Sequence, residues 1–208
     1  MRVKEELIAK IVATEWTMFQ NVTNVGGRAA CQDDFKTFNI MRSCQASAWS
    51  EAALASYLED LTEAQELGRN LLTEKYARMM EFTAPQEYTR IQHHLPPLDQ
   101  ETRSLIDWII QSNLVWEEEL NAKFPYIRRR GRPASSLADA PHVTSIETYL
   151  RGELATYSTR TLALYYQNIL EQKASNINGA ELVLAATMQR YGFSSLEAAN
   201  AAMKKRFS

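Results

Sequence analysis

Apolar residues recur at helical spacing along most of the chain, with no alternating runs that would read as paired strands. Ile8, Ile11, Val12, Phe19 and Val22 share one face, which predicts a helix over about 3–24, stopped at Val25, Gly26 and Gly27, where glycine admits backbone angles that end a helix. Asp33 or Asp34 is placed to cap a second helix reaching about Ala48. Ser50 is placed to cap a third, with Trp49 before it and Leu54 after it as a hydrophobic staple. That third helix carries Leu54, Tyr57, Leu61, Ala64, Leu71, Leu72, Tyr76 and Met79 inward and runs to about Phe82. Gly68 in its middle costs about 1 kcal/mol and predicts close helix packing there.

A fourth helix is predicted over about 100–124, with Leu105, Ile106, Ile109, Asn113, Trp116 and Leu120 inward. Thr144, Ser145, Ile146 and Glu147 read as a capping box for a helix continuing to about Gln172, whose inward stripe is Ile146, Tyr149, Leu150, Glu153, Tyr157 and Leu164. Asn178 starts a further helix ending at Tyr191 and Gly192, and Ser194 and Ser195 precede the last. The expected fold is all-α: a single-domain bundle of five to seven helices over residues 1–208, with two long loops at 85–98 and 125–143.

At 208 residues and 45% hydrophobic content the chain can bury a sizeable core. A net charge of −2 gives no global field for a polyanion or an anionic membrane, so neither nucleic acid nor membrane is expected as a partner. The arginine run Arg128, Arg129, Arg130 and Arg132 is a solvated loop or a lid over a small anion. Lys4, Glu5, Glu6 and Lys10 make the opening segment neither a secretory signal nor a membrane span. Cys31 and Cys44 then read as free thiols in a reducing cytoplasm, the expected localisation, while the oligomeric state is open.

Two of these stripes carry a carboxylate where an aliphatic side chain belongs, Glu15 in the first helix and Glu153 in the helix that begins at the Thr144–Glu147 box; Glu74 is the third glutamate of interest. A buried carboxylate must find a cation or hydrogen-bond donors, or hold its proton, so a polar interior is predicted. Around Glu15 stand Gly26, Gly27, Arg28 and Gln32, an anion-site pattern, and Arg42 and Gln45 on the next helix face the same interior. The alternative is that the glycines only stop a helix and Arg28 pairs with Glu15. Arg69, Asn70, Thr73, Glu74 and Tyr76 form a second polar strip, or a solvated charge face. Tyr149 and Tyr157 flank Glu153 at one-turn spacing, as donors to it or to a ligand, or as a structural hydrogen-bond network. Glu-x-x-His does not occur, and His93, His94 and His142 all fall in loops, so no metal site and no cofactor are expected. A Cys31 thiol nucleophile, with Arg28 lowering its pKa and His93 or His94 as base, requires loops to converge.

Glu15-Trp16, Gly26-Gly27-Arg28-Ala29, Cys31-Gln32, Gly68-Arg69-Asn70-Leu71, Thr73-Glu74-Lys75-Tyr76-Ala77-Arg78-Met79-Met80 and Thr148-Tyr149 with Glu153-Leu154 carry a resemblance over most of the chain. By these motifs it resembles an uncharacterised bacterial family, the domain of unknown function numbered 4125. The resemblance implies a bacterial helical protein and supplies no activity, cofactor or catalytic residue. From the residues themselves, the expectation is a cofactor-free enzyme of lyase or isomerase type acting on a small anionic metabolite. Arg28 and Arg69 would grip the anion, with Gln32, Arg42, Gln45 and Asn70 adding polar contacts. One of Glu15, Glu74 or Glu153 would serve as general acid or base, and Tyr76, Tyr149 and Tyr157 would orient substrate or donate protons. The alternatives are a non-catalytic module binding a small molecule or a protein, and a purely structural helical domain.

Overall fold

A computed structural model describes residues 2–23, 27–129, 131–140 and 143–207. Among these, the fold is all-helical, with eleven α-helices and a single isolated bridge between Ala140 and Val143. The helices are α1 (Arg2–Gln20), α2 (Phe35–Ser47), α3 (Glu51–Glu66), α4 (Leu71–Thr83), α5 (Pro85–Ile91), α6 (Gln100–Lys123), α7 (Pro125–Arg128), α8 (Ile146–Leu154), α9 (Thr159–Ala174), α10 (Gly179–Arg190) and α11 (Leu196–Phe207). No helix among the described residues is long and apolar enough to cross a membrane.

Eleven helices replace the expected five to seven because local capping chemistry divides segments that the apolar period joins. Gly68 has φ +67° and ends α3, with its N–H bonding Gln65 O at 3.1 Å and that of Arg69 bonding Ala64 O at 2.7 Å. The Asn70 side chain then starts α4 by accepting from the Leu72 and Thr73 amides at 3.1 and 3.0 Å. Gly68 is thus a helix terminator, and an added Cβ would meet nothing within 4 Å, which overturns the close packing expected there. The close approach occurs at Gly152 on α8, where a Cβ would stand 2.6 Å from Met79 Cγ and 2.9 Å from the Lys75 backbone oxygen on α4.

The predicted helix over 144–172 divides in the same way. Ser145 caps α8 by accepting from Thr148 N at 3.1 Å, and Ser158 caps α9 by accepting from Thr161 N, also at 3.1 Å. The break shifts the helical phase, so α9 buries Leu162, Tyr165 and Ile169, and Leu164 is only half-buried. Glu147 does not close a capping box on Thr144; it accepts from the Ser136 amide at 2.8 Å. That contact helps fasten the segment 131–140, as do the amides of Ile146 and Glu147, which bond Pro133 O and Ala134 O at 2.8 and 3.0 Å.

Both expected loops contain helix, since Pro85 and Pro125 occupy first-turn positions of α5 and α7, where a missing N–H costs nothing. Asp34, Ser50 and Asp99 cap α2, α3 and α6. Trp49 and Leu54 are both buried beside the Ser50 cap. The main core joins Ile11, Leu54, Leu61, Ile109, Leu154, Leu162 and Ile169 from α1, α3, α6, α8 and α9. A second cluster ties Leu120, Phe124 and Ile127 to Leu196 and Ala199 of α11. α1 packs on α2, α3 and α4, and α4 packs on α8, so α1, α2, α4 and α8 meet around one interior.

Candidate functional site

Each of those four helices sends one acidic or basic side chain into the shared interior: Glu15 from α1, Arg42 from α2, Lys75 from α4 and Glu153 from α8. The Arg42 fork grips Glu15, with Nε donating to Oε2 at 2.8 Å and Nη2 to Oε1. Its Nη1 reaches Glu153 Oε1 at 2.8 Å and Gln45 Oε1 at 2.9 Å. Lys75 Nζ donates to the other Glu153 oxygen. Tyr57 OH donates to Glu15 Oε1 at 2.7 Å, and Tyr157 OH donates to Glu153 Oε1 at 2.8 Å. The two carboxylates and two cations balance formally, which is the condition under which charges this deeply buried are tolerated.

Burial pushes the Glu153 carboxyl up, but Arg42 and Lys75 outweigh it and hold Glu153 well below the usual carboxylate range. Burial likewise works against the Arg42 charge and is overcome by Glu15 and Glu153, which raise its pKa. Tyr57 and Tyr157 are pushed well above the ordinary phenol value, first by burial and then by the adjoining carboxylates, so both remain donors. Glu153 therefore has neither the affinity for a proton nor a vacant oxygen that a general base at neutral pH requires.

A cavity of about 860 Å³ opens against this cluster. Arg42, Gln45, Lys75 and Glu153 reach its wall, with Glu15, fully buried, behind Arg42. Phe19, Phe38, Trp49 and Met79 supply apolar wall, and Tyr76 and Tyr149 face the same space. Lys75 Nζ stands 3.8 Å from the centroid of the Tyr149 ring, and Arg132 Cζ lies 5.0 Å from the same centroid. The Lys75 charge lowers the Tyr149 pKa against the opposing effect of burial, with the neighbouring Tyr76 phenol adding to the lowering. Tyr76 moves the other way, raised by burial and then by Tyr149, so Tyr149 is the phenol that ionises first. Arg132 donates to Thr144 O at 2.9 Å and has no carboxylate partner among the described residues.

Of the residues singled out in the sequence, Glu15, Arg42, Gln45, Tyr76, Tyr149, Glu153 and Tyr157 come together here. Glu74 does not: it is held by Arg69 at 2.8 and 2.7 Å near the start of α4. Asn70 serves as the α4 cap and donates to Met18 O at 2.7 Å. Arg28 does not pair with Glu15; it bonds Asp33 Oδ1 and Gln32 O, both at 2.9 Å, and Gln20 Oε1. The Gln32 side chain donates to Phe19 O and Val22 O at 2.9 and 3.0 Å, closing the C-terminal end of α1. Cys31 lines the cavity and Cys44 is buried, both as free thiols. His93 and His94 lie against each other on the connection to α6. Val25 and Gly26 of the predicted helix stop, Arg130 and His142 lie outside the described residues.

Lys75 and Tyr57 are the members of the cluster that sequence reasoning passed over. Lys75 sits four residues from both Leu71 and Met79, so it interrupts an inward stripe just as Glu15 and Glu153 do, and the same test would have found it. Tyr57 was placed inward but without a role.

No group of three or more His, Cys, Asp or Glu suited to a metal ion occurs among the described residues. Comparison of the chain with curated proteins and with solved structures gave no match. Residues 5–201, nearly the whole chain, match the family described as Protein of unknown function (DUF4125), and the protein belongs to that family.

Proposed function

We propose that the large cavity binds a small anionic metabolite bearing an apolar portion and carries out acid–base chemistry of lyase or isomerase type on it. The observation that supports this most directly is the Lys75 ammonium over the ring of cavity-facing Tyr149. A cation beside a phenol favours the phenolate, giving a group that takes a proton and returns it. In this reading Tyr149 is the proton-transferring residue and Tyr76 the neighbouring phenol that favours its ionised form. Arg132 receives the anion, and Glu15 and Glu153 fix Arg42 and Lys75 in place. The chemistry thus moves from the glutamates expected in the sequence to a tyrosine among them. A proton on the substrate carbon next to the anionic group would pass to the phenolate oxygen and return to a neighbouring atom, or leave with a departing group.

A non-catalytic binding module is the second reading, favoured by one observation: the Glu153 oxygens and the Arg42 fork are already engaged within the chain. The test is native mass spectrometry of protein purified from its own host to identify a retained metabolite, followed by solvent-deuterium incorporation into that metabolite. Catalysis predicts incorporation that Tyr149→Phe abolishes while calorimetric affinity changes little. Retained binding with no incorporation in the unaltered protein rejects catalysis and leaves the module.

A further inference from the structure

A second and smaller cavity of about 170 Å³ lies on the other side of α8, lined there by Arg151, Gly152 and Ala155 instead of Tyr149, Leu150 and Glu153. Arg78 from α4 and Arg103 from α6 join Arg151 around it, with Glu81 and Asp107 as the acidic groups on its wall and Phe82 and Ile106 among the apolar ones. Arg151 is engaged, with Asp107 at 2.7 Å and Glu147 at 3.7 Å. Arg78 is not neutralised in that way. Only 8% of it is exposed, yet it has no carboxylate partner among the described residues, and its Nε is buried without a hydrogen-bond partner. Among the described residues its one hydrogen bond runs from Nη2 to Pro96 O at 2.6 Å. Arg103 likewise makes only a carbonyl contact among the described residues, from Nε to Leu98 O at 3.2 Å.

The contrast within the same molecule is informative. Lys75, the other buried cation, has a carboxylate, and so do the half-buried Arg42 and Arg128, which pair with Glu15 and Glu117. A buried guanidinium without a counter-charge is costly, and a second arginine beside it adds to the cost. In agreement, Arg78 is lowered by burial, with Tyr88 and Glu74 opposing and Arg103 and Arg69 adding to the effect.

We infer that the cavity between Arg78, Arg103 and Arg151 binds a small oxyanion of phosphate or sulfate size, either free or as the terminal group of a metabolite. The buried Arg78 guanidinium, with the exposed Arg103 beside it at the rim, supplies charge-assisted donors of which the inner one is shielded from water, so it holds an oxyanion more strongly than surface lysines do. The site is separate from the large cavity, and its occupancy is independent of whether Tyr149 performs chemistry.

The test is a titration of the full chain with inorganic phosphate, and separately with glycerol 3-phosphate, at constant ionic strength, read on the arginine Nε–H resonances. Saturable shifts of Arg78 and Arg103, weakened at least about tenfold in Arg103→Gln, are expected for one or both probes. Response to phosphate alone identifies a free ion, and response to the ester identifies a terminal phosphoryl group. Arg103 is exposed, so its replacement tests the site even if Arg78→Met fails to fold. Shifts that do not saturate, or that survive Arg103→Gln and vanish in Arg132→Gln, would overturn the assignment by placing the anion nowhere or in the large cavity.

Discussion

The ammonium of Lys75 on α4 lies 3.8 Å from the ring centroid of Tyr149 on α8, while the same nitrogen donates to Glu153 one turn further along α8. One lysine thus holds a carboxylate ionised and lowers the proton affinity of a phenol at the edge of an open cavity. The remaining cations and tyrosines of the interior are arranged around that double contact.

Tyr149 should ionise below the ordinary tyrosine value near 10. Because its pKa is depressed in the folded state, the stability it contributes is fully present above the unfolded value and is lost as pH falls through the folded one. Tyr57, Tyr76 and Tyr157 are raised and have the opposite sign, their contribution falling away as pH rises through their folded values. Ultraviolet difference titration should therefore lose its earliest phenolate transition in Tyr149→Phe, and in Lys75→Met that transition should move toward higher pH. An unchanged first transition in either variant would refute the lysine–phenol coupling.

Glu153 gives an acid-side prediction. Its depressed pKa means that its stabilisation is complete above about 4.3, the unfolded value, and drains away as pH falls toward the folded one. Urea unfolding between pH 6 and about 3 should show a weaker pH dependence in Glu153→Gln than in the unaltered chain. At neutral pH the single variant should lose about 3–5 kcal/mol by stranding buried cations. Lys75→Met combined with Glu153→Gln should lose less than the sum of the two, since the pair removes one charge of each sign.

Glu15 and Glu74 were grouped in the sequence reading, and their locations separate them. Glu15 is fully buried against Arg42 and Tyr57, whereas Glu74 pairs with a partly exposed Arg69. Glu15→Gln should cost about 3–5 kcal/mol and Glu74→Gln about 1 kcal/mol or less, by chemical denaturation. Equal losses would contradict this placement.

Much of the helical plan was legible because caps and apolar period agree: Asp34, Ser50 and the stop before Pro85 lie where the sequence puts them. Glu15 and Glu153 were legible for the same reason, as charges interrupting an inward stripe. The divisions at Gly68 and Ser158 were not, because the apolar period runs across both and only the backbone angle of Gly68 and the hydroxyl of Ser158 end it. Glu74 was misplaced by one residue: the helical phase set by Leu71 and Met79 turns Lys75 into the interior and leaves its neighbour at the edge, paired with Arg69. Arg28 and Gln32 were recognised as polar groups near α1, but their carbonyl contacts depend on a turn that periodicity does not describe.

Gly152 permits the α4–α8 approach on which the Lys75–Glu153 contact depends. Gly152→Ala should cost about 1–3 kcal/mol, since the new methyl meets both Met79 and the Lys75 backbone oxygen. Adding Met79→Ala should not restore stability, because it leaves the backbone contact in place. Gly68→Ala meets no neighbour and should cost only the strain of a positive φ, about 1–2 kcal/mol. Thermal unfolding of the three variants checks the order.

The neutral quartet also bears on how the chain reaches this state. Arg42 and Glu153 are 111 positions apart, and Lys75 and Glu153 are 78 apart, so charge balance in the interior is a long-range property. A partly assembled bundle of α1 to α4 without α8 would expose an excess cation to a drying core, and water must stay until the last partner arrives. Desolvation of this interior is therefore expected to be a late step, shared by α8 with all three other helices, and slow relative to formation of the helices themselves.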